Sequence, residues 1–185
     1  MAQMIPTEIF YGKEYDTESG AEMALFKIIK NEPNTKDWIC FHSLNIQAQE
    51  CLCFTEADFV ILIPSRGIFI IEVKGGEIHY RNGRFVSIDK RGEDHDINPF
   101  EQVQRAQNGI INYLKRQNIN NILVASGVAF TSVEFDVNSI EYDKNLVYHI
   151  GSGSFYDYII NLERLTKFQH GLYRKDFSGD TFDKV

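Results

Sequence analysis

The chain has 185 residues and a formal net charge of −7, and 43% of its residues are hydrophobic. This length and composition suit one globular domain and exclude an intrinsically disordered chain. The negative charge counts against a protein that holds nucleic acid by charge alone, because phosphate contacts need lysine and arginine side chains. It leaves room for an enzyme with a small basic surface.

The first predicted element is a helix, because Ser19 and Glu22 have the spacing of a capping box before an apolar periodicity. Asn82-Gly83 separates two later strand patterns and is typical of a tight hairpin turn. Another helix begins at Asn98-Pro99, a capping residue followed by proline. In chain order, the predicted elements are a helix at 20–30, strands at 38–44, 52–63, 67–74, 77–81 and 84–88, a polar loop at 89–96, a helix from 98–99 onward, strands at 122–131 and 146–150, and a helix at 154–168. This order predicts an α/β protein with a mixed central sheet flanked by helices.

The chain carries three cysteines, an odd number, and residues 1–11 lack the charged and apolar regions of a secretory signal. The apolar runs, such as 59–63, are far too short to span a membrane. We therefore expect a reduced, cytoplasmic protein with no membrane partner.

The most informative segment is the hairpin formed by the strands at 52–63 and 67–74. If the two strands pair from the turn outward, Asp58 lies opposite Glu72, and Glu56 lies opposite Lys74. Directly opposed side chains share one face of a sheet, with Cβ atoms roughly 5 Å apart. Two carboxylates and an ammonium group are thus predicted to meet at the open end of the hairpin.

The rest of this hairpin is apolar on both faces, which is typical of strands in the middle of a covered sheet. Two facing carboxylates repel each other unless one binds a proton or both bind a cation. A hard divalent ion that prefers oxygen ligands would satisfy both. The alternative is that Asp58 and Glu72 point to solvent and pair with Lys74 or Arg66.

Asp58, followed by Glu72-Val73-Lys74 on the next strand, resembles the PD-(D/E)XK nuclease core, and more closely the nuclease-related domain, NERD. Helix starts at Gly20-Ala21-Glu22 and at Asn98-Pro99-Phe100-Glu101-Gln102 add to the resemblance, which spans about 19–130. It implies a restriction-endonuclease-like core. We expect one domain over 1–185, with its core at about 19–150 and a C-terminal helix at about 154–168.

The resemblance also implies roles for individual residues. Asp58 and Glu72, with the backbone carbonyl of Val73, would hold Mg²⁺ or Mn²⁺. Lys74 would orient the attacking water or help to deprotonate it, and Glu22 would reach the ion directly or through water. The implied catalytic set is Glu22, Asp58, Glu72, Lys74 and Gln102, the last supporting the site from its helix.

Each role has a structural alternative. Glu22 also fits a capping box, and Gln102 fits a solvated first helical turn. Lys74 also fits an ion pair with Glu56 or Glu77.

Three arginines, Arg81, Arg84 and Arg105, are candidate contacts to the DNA backbone, although such charges are usually ordinary solvated surface. A zinc site is a weaker hypothesis, since Cys40-x-His42 and Cys51-x-Cys53 place four soft ligands within fourteen residues. Alternate strand positions suit buried thiols equally well.

The predicted function is that of a metal-dependent nuclease that hydrolyses phosphodiester bonds in DNA, with Mg²⁺ or Mn²⁺ as cofactor. The alternative is a non-catalytic module on the same fold that binds nucleic acid or a partner protein. A protein partner or a fused helicase-like segment is compatible with both. A third hypothesis, an unrelated α/β domain whose acids only pair with lysines, predicts no binding of divalent ions.

Overall fold

The computed structural model describes residues 1–12, 19–47, 54–89 and 91–169. The strands are β1 (Gln3–Ile5), β2 (Ile39–Gln47), β3 (Phe54–Ile63), β4 (Gly67–Lys74), β5 (Glu77–Arg81), β6 (Arg84–Ile88), β7 (Asp94–Ile97), β8 (Val124–Phe130) and β9 (Val147–His149). The helices are α1 (Gly20–Asn31), α2 (Pro99–Arg116) and α3 (Phe155–Gln169). Among these helices, none combines the length and the apolar character needed to cross a membrane.

Six strands form the main sheet in the order β1-β2-β3-β4-β8-β9. The β2–β3 and β3–β4 pairs are antiparallel, whereas β1–β2, β4–β8 and β8–β9 are parallel. Ile63 pairs with Gly67, and Phe59 pairs with Ile71, so the register predicted for the β3–β4 hairpin is confirmed. The sheet is mixed, as the sequence predicts.

Helices cover both faces of the central hairpin. On one face, Phe59 and Phe69 pack in a core with Leu25 of α1 and Ile159 of α3. On the other face, Val60, Leu62, Ile68 and Ile70 pack with residues of α2, among them Val103 and Ile110. The two-sided apolar pattern of β3 and β4 therefore does place them inside a covered sheet, and the predicted α/β class is confirmed.

Local signals define the helix starts and the second hairpin. Ser19 Oγ accepts a hydrogen bond from the backbone N–H of Glu22 at 3.3 Å, and Asn98 Oδ1 accepts one from Glu101 at 3.2 Å. Both are N-cap bonds that satisfy an otherwise unpaired donor of the first turn. Asn82 and Gly83 have φ values of 52° and 77°, as their hairpin turn requires.

Two strands differ from the sequence-based prediction. The loop expected at 89–96 is wrong for its second half, because β7 pairs with β6 in a separate three-stranded sheet. The sequence of β7, Asp-His-Asp-Ile, has a poor strand propensity, which the hydrogen bonds to β6 override. The other strand, β1, has three residues and pairs with β2 over Ile39–Phe41. Neither strand has a local signal of its own.

Candidate active site

The β3–β4 ladder ends at the pair Phe59–Ile71, one residue before the position where Asp58 faces Glu72. Beyond that pair, Asp58 Oδ2 accepts a hydrogen bond from the backbone N–H of Val73 at 2.7 Å. A side chain thus takes over a backbone donor of β4 where the ladder ends. This bond fixes the Asp58 carboxylate at the open end of the hairpin.

Glu72 lies beside it and is nearly inaccessible to solvent, with 5% of its surface exposed. Lys74 Nζ donates a hydrogen bond to Glu72 Oε1 at 2.7 Å, and the two side chains form an ion pair. In the described part of the chain, the ion-pair partner of Lys74 is therefore Glu72, not the alternatives Glu56 or Glu77. Asp58 and Glu72 are therefore not simply solvated surface groups.

Burial and mutual repulsion make the charged forms of both acids costly. Burial raises the pKa of Asp58 to about 7, the charge on Glu72 adds to this rise, and the hydrogen bond from Val73 opposes it. Burial likewise raises the pKa of Glu72, against the stabilising hydrogen bond and charge of Lys74. An excess of negative charge has therefore been placed where water cannot fully solvate it.

Helix α1 brings a third acid, Glu22, to the same place. A Cβ added at Gly75 would lie 2.8 Å from Ala21 Cβ, so the start of α1 approaches the end of β4 as closely as glycine allows. Thr131 Oγ1 also donates to the backbone oxygen of Ala21 at 3.3 Å. The charge on Glu22 raises the pKa of both Asp58 and Glu72, and the charge on the exposed Glu56 adds to the rise at Glu72. Asp58, Glu72 and Glu22 together are called the carboxylate cluster.

His42, on β2, contacts this cluster through Glu22. Its Nε2 lies 2.8 Å from Glu22 Oε2, and only 4% of its side chain is exposed. From the sequence alone, His42 is a candidate only as a zinc ligand, because no local pattern connects residues 20 positions apart. Its place opposite Phe59, next to Asp58, follows from the β2–β3 register rather than from a motif.

The zinc hypothesis is tested only in part. Cys51 and Cys53 lie outside the described residues. Cys40 is fully buried, and burial raises the pKa of its thiol far above the usual value. It lies in the apolar core between the sheet and α1, where a buried thiol acts as a small hydrophobic group.

Gln102 lies in the first turn of α2 and is exposed. Among the described residues, the Gln102 side chain makes no hydrogen bond to the charged groups of the site, which are those of Asp58, Glu72, Glu22 and Lys74. A different glutamine of this helix is buried: Gln107 donates to the backbone oxygen of Val124 at 2.8 Å and accepts from Ser126 Oγ at 3.0 Å. Gln107 connects α2 to the start of β8, and no sequence motif indicates this role.

The candidate DNA contacts are exposed, but two of them are already paired. Arg84 forms an ion pair with Asp96 at 3.2 Å, and Arg105 forms one with Glu101 in the same helix. Arg81 is exposed and lies opposite Arg84 across the second hairpin. Exposed pairs of this kind are weak, so a phosphate could displace the carboxylates.

A second group of metal-ligating side chains lies on the surface, next to β7. The surface trio consists of Asp89, Glu93 and His95, and all three residues are exposed. Each offers one ligand atom, and these three atoms lie within 4.8 Å of one another. Within the described residues, this trio is the one group of three metal-ligating side chains that comes together so closely. The Asp89 carboxylate also accepts hydrogen bonds from two backbone N–H groups, of Arg91 and Glu93.

The donor set at the end of the hairpin fits a hard divalent cation. A half-buried and a buried carboxylate whose charged forms are destabilised gain most from a positive ion, and carboxylate and carbonyl oxygens are the ligands that Mg²⁺ and Mn²⁺ prefer. Lys74 already supplies one positive charge there. The residues that would hold the ion are Asp58 and Glu72, with the Val73 carbonyl.

Comparison with known proteins gives one match. Residues 17–131, more than half of the chain, match the model of the family described as the nuclease-related domain, NERD. No curated protein and no solved structure matches the chain. The matched range contains Asp58, Glu72, Lys74, Glu22 and Gln102.

Proposed function

The chain belongs to the nuclease-related domain family, and from this premise we propose that it is a metal-dependent nuclease that hydrolyses phosphodiester bonds in DNA. The observation that carries the proposal is the charge imbalance at the open end of the β3–β4 hairpin. There, among the described residues, Asp58, Glu72 and Glu22 share one electrostatic environment with the ammonium group of Lys74. Family membership supports a nuclease-related function and, in general terms, a divalent metal.

The proposed roles follow from what each side chain contacts. Asp58 and Glu72 would hold Mg²⁺ or Mn²⁺; the Val73 N–H keeps the Asp58 carboxylate in place for this task. When bound, the ion would supply Lewis acidity for water activation and for the charge on the phosphate. Lys74 Nζ is 2.7 Å from Glu72, and 22% of its side chain is exposed. It can therefore orient a water molecule and balance phosphate charge without leaving the site.

Two further roles concern residues outside the hairpin. Glu22 belongs to the carboxylate cluster and would act directly or through water. Gln102, which is exposed in the first turn of α2, would support the site from its helix. The expected domain extent, 1–185 with its core at about 19–150, stays a prediction, because the family match covers 17–131.

A non-catalytic binding module on the same fold is the second candidate. Two observations favour it: the net charge of −7, and the carboxylate partners that Arg84 and Arg105 already have. A protein partner, or a fused helicase-like segment, would then supply a further basic surface. This candidate predicts DNA binding or partner binding without cleavage.

Cleavage of single- and double-stranded DNA by the wild type and by Lys74→Ala, with Mg²⁺, Mn²⁺ or EDTA, tests the proposal. We expect metal-dependent cleavage that falls by about 10²-fold or more in Lys74→Ala. The matched control is Lys167→Ala, since Lys167 also pairs with a buried glutamate, Glu163, but at the other end of the hairpin. Wild-type protein that is folded and inactive with either ion would favour the binding module.

Metal binding separates the two acidic groups. In Mn²⁺ titrations followed by electron paramagnetic resonance, we expect Asp58→Asn to weaken the binding of the ion and Asp89→Asn to leave it unchanged. Asp89 belongs to the surface trio, whose exposed side chains are already solvated and therefore gain less from binding a cation. Loss of binding in Asp89→Asn alone would move the metal site to the surface trio. Absence of binding in the wild type would contradict metal dependence altogether.

A further inference from the structure

The contact between His42 and Glu22 joins β2 to the first turn of α1 at the edge of the carboxylate cluster. His42 lies on β2, Glu22 lies in the first turn of α1, and the Nε2–Oε2 distance is 2.8 Å. A carboxylate can only accept a hydrogen bond, so the ring nitrogen donates. With 4% of the His42 side chain and 19% of the Glu22 side chain exposed, water competes little for this bond.

The imidazole ring itself is held by two aromatic side chains. Its centroid lies 5.1 Å from that of Phe59 and 6.2 Å from that of Phe26, which meets it edge-on at 87°. Phe26 and Phe59 are buried at 3% and 0% exposure. A ring packed in this way has little rotational freedom, so the direction of its N–H is fixed by the core and not by solvent.

The pair is connected to the cluster from both sides. His42 lies directly opposite Phe59 in the β2–β3 ladder, and Phe59 precedes Asp58. Glu22 acts electrostatically on Asp58 and on Glu72. The hydrogen bond therefore controls the position of one of the three carboxylates of the cluster, without contacting the other two.

We propose that His42 is a positioning residue: its fixed N–H orients the Glu22 carboxylate toward Asp58 and Glu72 for their joint action on the metal ion and the substrate. This inference rests on the proposed nuclease function. The rival explanation is a purely structural clip between β2 and α1. A clip would change the stability of the fold but not the affinity for the ion in protein that remains folded.

The test compares His42→Phe, which keeps a packed ring without a donor, with His42→Gln, which restores an N–H donor at the same reach. Mn²⁺ affinity, kcat and KM on DNA are measured for both, together with Tm. We expect about tenfold weaker Mn²⁺ binding and lower kcat in His42→Phe, with substantial rescue in His42→Gln. Glu22→Gln should show a similar loss, and the double variant Glu22→Gln/His42→Phe should lose little more.

A matched control is available on β5, where His79 Nε2 lies 2.7 Å from Glu77 Oε1 in an exposed pair of the same chemistry. His79→Phe should leave Mn²⁺ affinity unchanged. If Glu22→Gln impairs binding and cleavage but folded His42→Phe behaves as wild type, the positioning role is wrong while the nuclease function stands. Equal losses in His42→Phe and His42→Gln, with additive loss in the double variant, would also overturn it. Wild-type protein without Mn²⁺ binding or cleavage would overturn the proposed function and this inference together.

Discussion

The two ends of the β3–β4 hairpin each hold a buried glutamate, and the two are balanced in opposite ways. At the turn, Glu163 accepts a hydrogen bond from Arg66 at 2.6 Å and another from Lys167. At the open end, the cation that Glu72 contacts within the described part of the chain is Lys74, at 2.7 Å. The two side chains are equally hidden, with 8% and 6% exposed. Burial alone therefore does not distinguish a structural acid from a candidate catalytic acid.

What distinguishes the ends is the number of charges of each sign. Two cations surround one carboxylate at the turn, whereas at the open end Lys74 serves a cluster that also contains Asp58 and Glu22. At the open end, burial raises the pKa of both Asp58 and Glu72. A buried ion pair with surplus cations stabilises its own charges, whereas a surplus of carboxylates requires protons or a metal ion.

The largest effect that can break this comparison is on metal affinity. We expect Glu72→Gln to weaken Mn²⁺ binding by more than about 100-fold, because it removes a ligand and not merely a neighbour of a ligand. Glu163→Gln should leave Mn²⁺ binding unchanged. It should instead lower the free energy of unfolding by about 1–2 kcal/mol, less than for a fully buried pair because Arg66 and Lys167 are partly exposed. Titration calorimetry measures the Mn²⁺ affinity, and urea denaturation measures the free energy of unfolding. Equal Mn²⁺ affinities in Glu72→Gln and Glu163→Gln would show that the two glutamates do not differ as metal ligands.

A smaller effect concerns the pH dependence of stability without metal. The pKa of Asp58 is about 7 in the folded protein, against 3.8 for an ordinary aspartate. Between these pH values the folded state binds more protons than the unfolded state, so this group destabilises the fold as pH rises. At pH 8 in EDTA, Asp58→Asn should raise the free energy of unfolding by about 1–3 kcal/mol, and the gain should vanish near pH 4.

The control for this measurement is Asp89→Asn. Backbone hydrogen bonds from Glu93 and Arg91 lower the pKa of Asp89, so its charge is favoured in the folded state. Its replacement should not stabilise the protein at pH 8. A gain of the same size in both variants would indicate a response to net charge and not to the buried cluster.

The smallest effect tests the basic surface. Reversing both charges of the second hairpin, in Arg81→Glu/Arg84→Glu, should weaken DNA binding roughly three- to tenfold at low salt and reduce the salt dependence by about one ion per lost phosphate contact. Arg84 must leave Asp96 before it can contact a phosphate, which limits its contribution. Arg164→Glu on α3 is the control. Fluorescence anisotropy at several salt concentrations measures the change, and unchanged affinity would remove these arginines from the interface.

The parts of the fold that the sequence predicts are those with local causes. Both helix caps join residues three positions apart, the Asn82-Gly83 turn has its own chemistry, and the β3–β4 register follows from the turn and the alternation of side chains. Strands β1 and β7 were missed because their hydrogen-bond partners, not their own residues, make them strands.

The same rule applies to the candidate site. Asp58, Glu72 and Lys74 were found together because one hairpin carries all three. Glu22 could be associated with them only through a family resemblance, and its partner His42 not at all, because no local pattern connects β2 with the first turn of α1. The roles of these residues stay predictions until the variants are measured.

Gly75 shows how such a site restricts its sequence at a position with no reactive atom. Any side chain there would collide with Ala21, at 2.8 Å from its Cβ, and would push away the helix that carries Glu22. A substitution at residue 75 would therefore alter the site through the backbone and leave every proposed functional group intact. The residues tolerated at position 75 would show how closely α1 must approach the end of β4. A chain that forms the carboxylate cluster through this close approach has little freedom to vary residue 75.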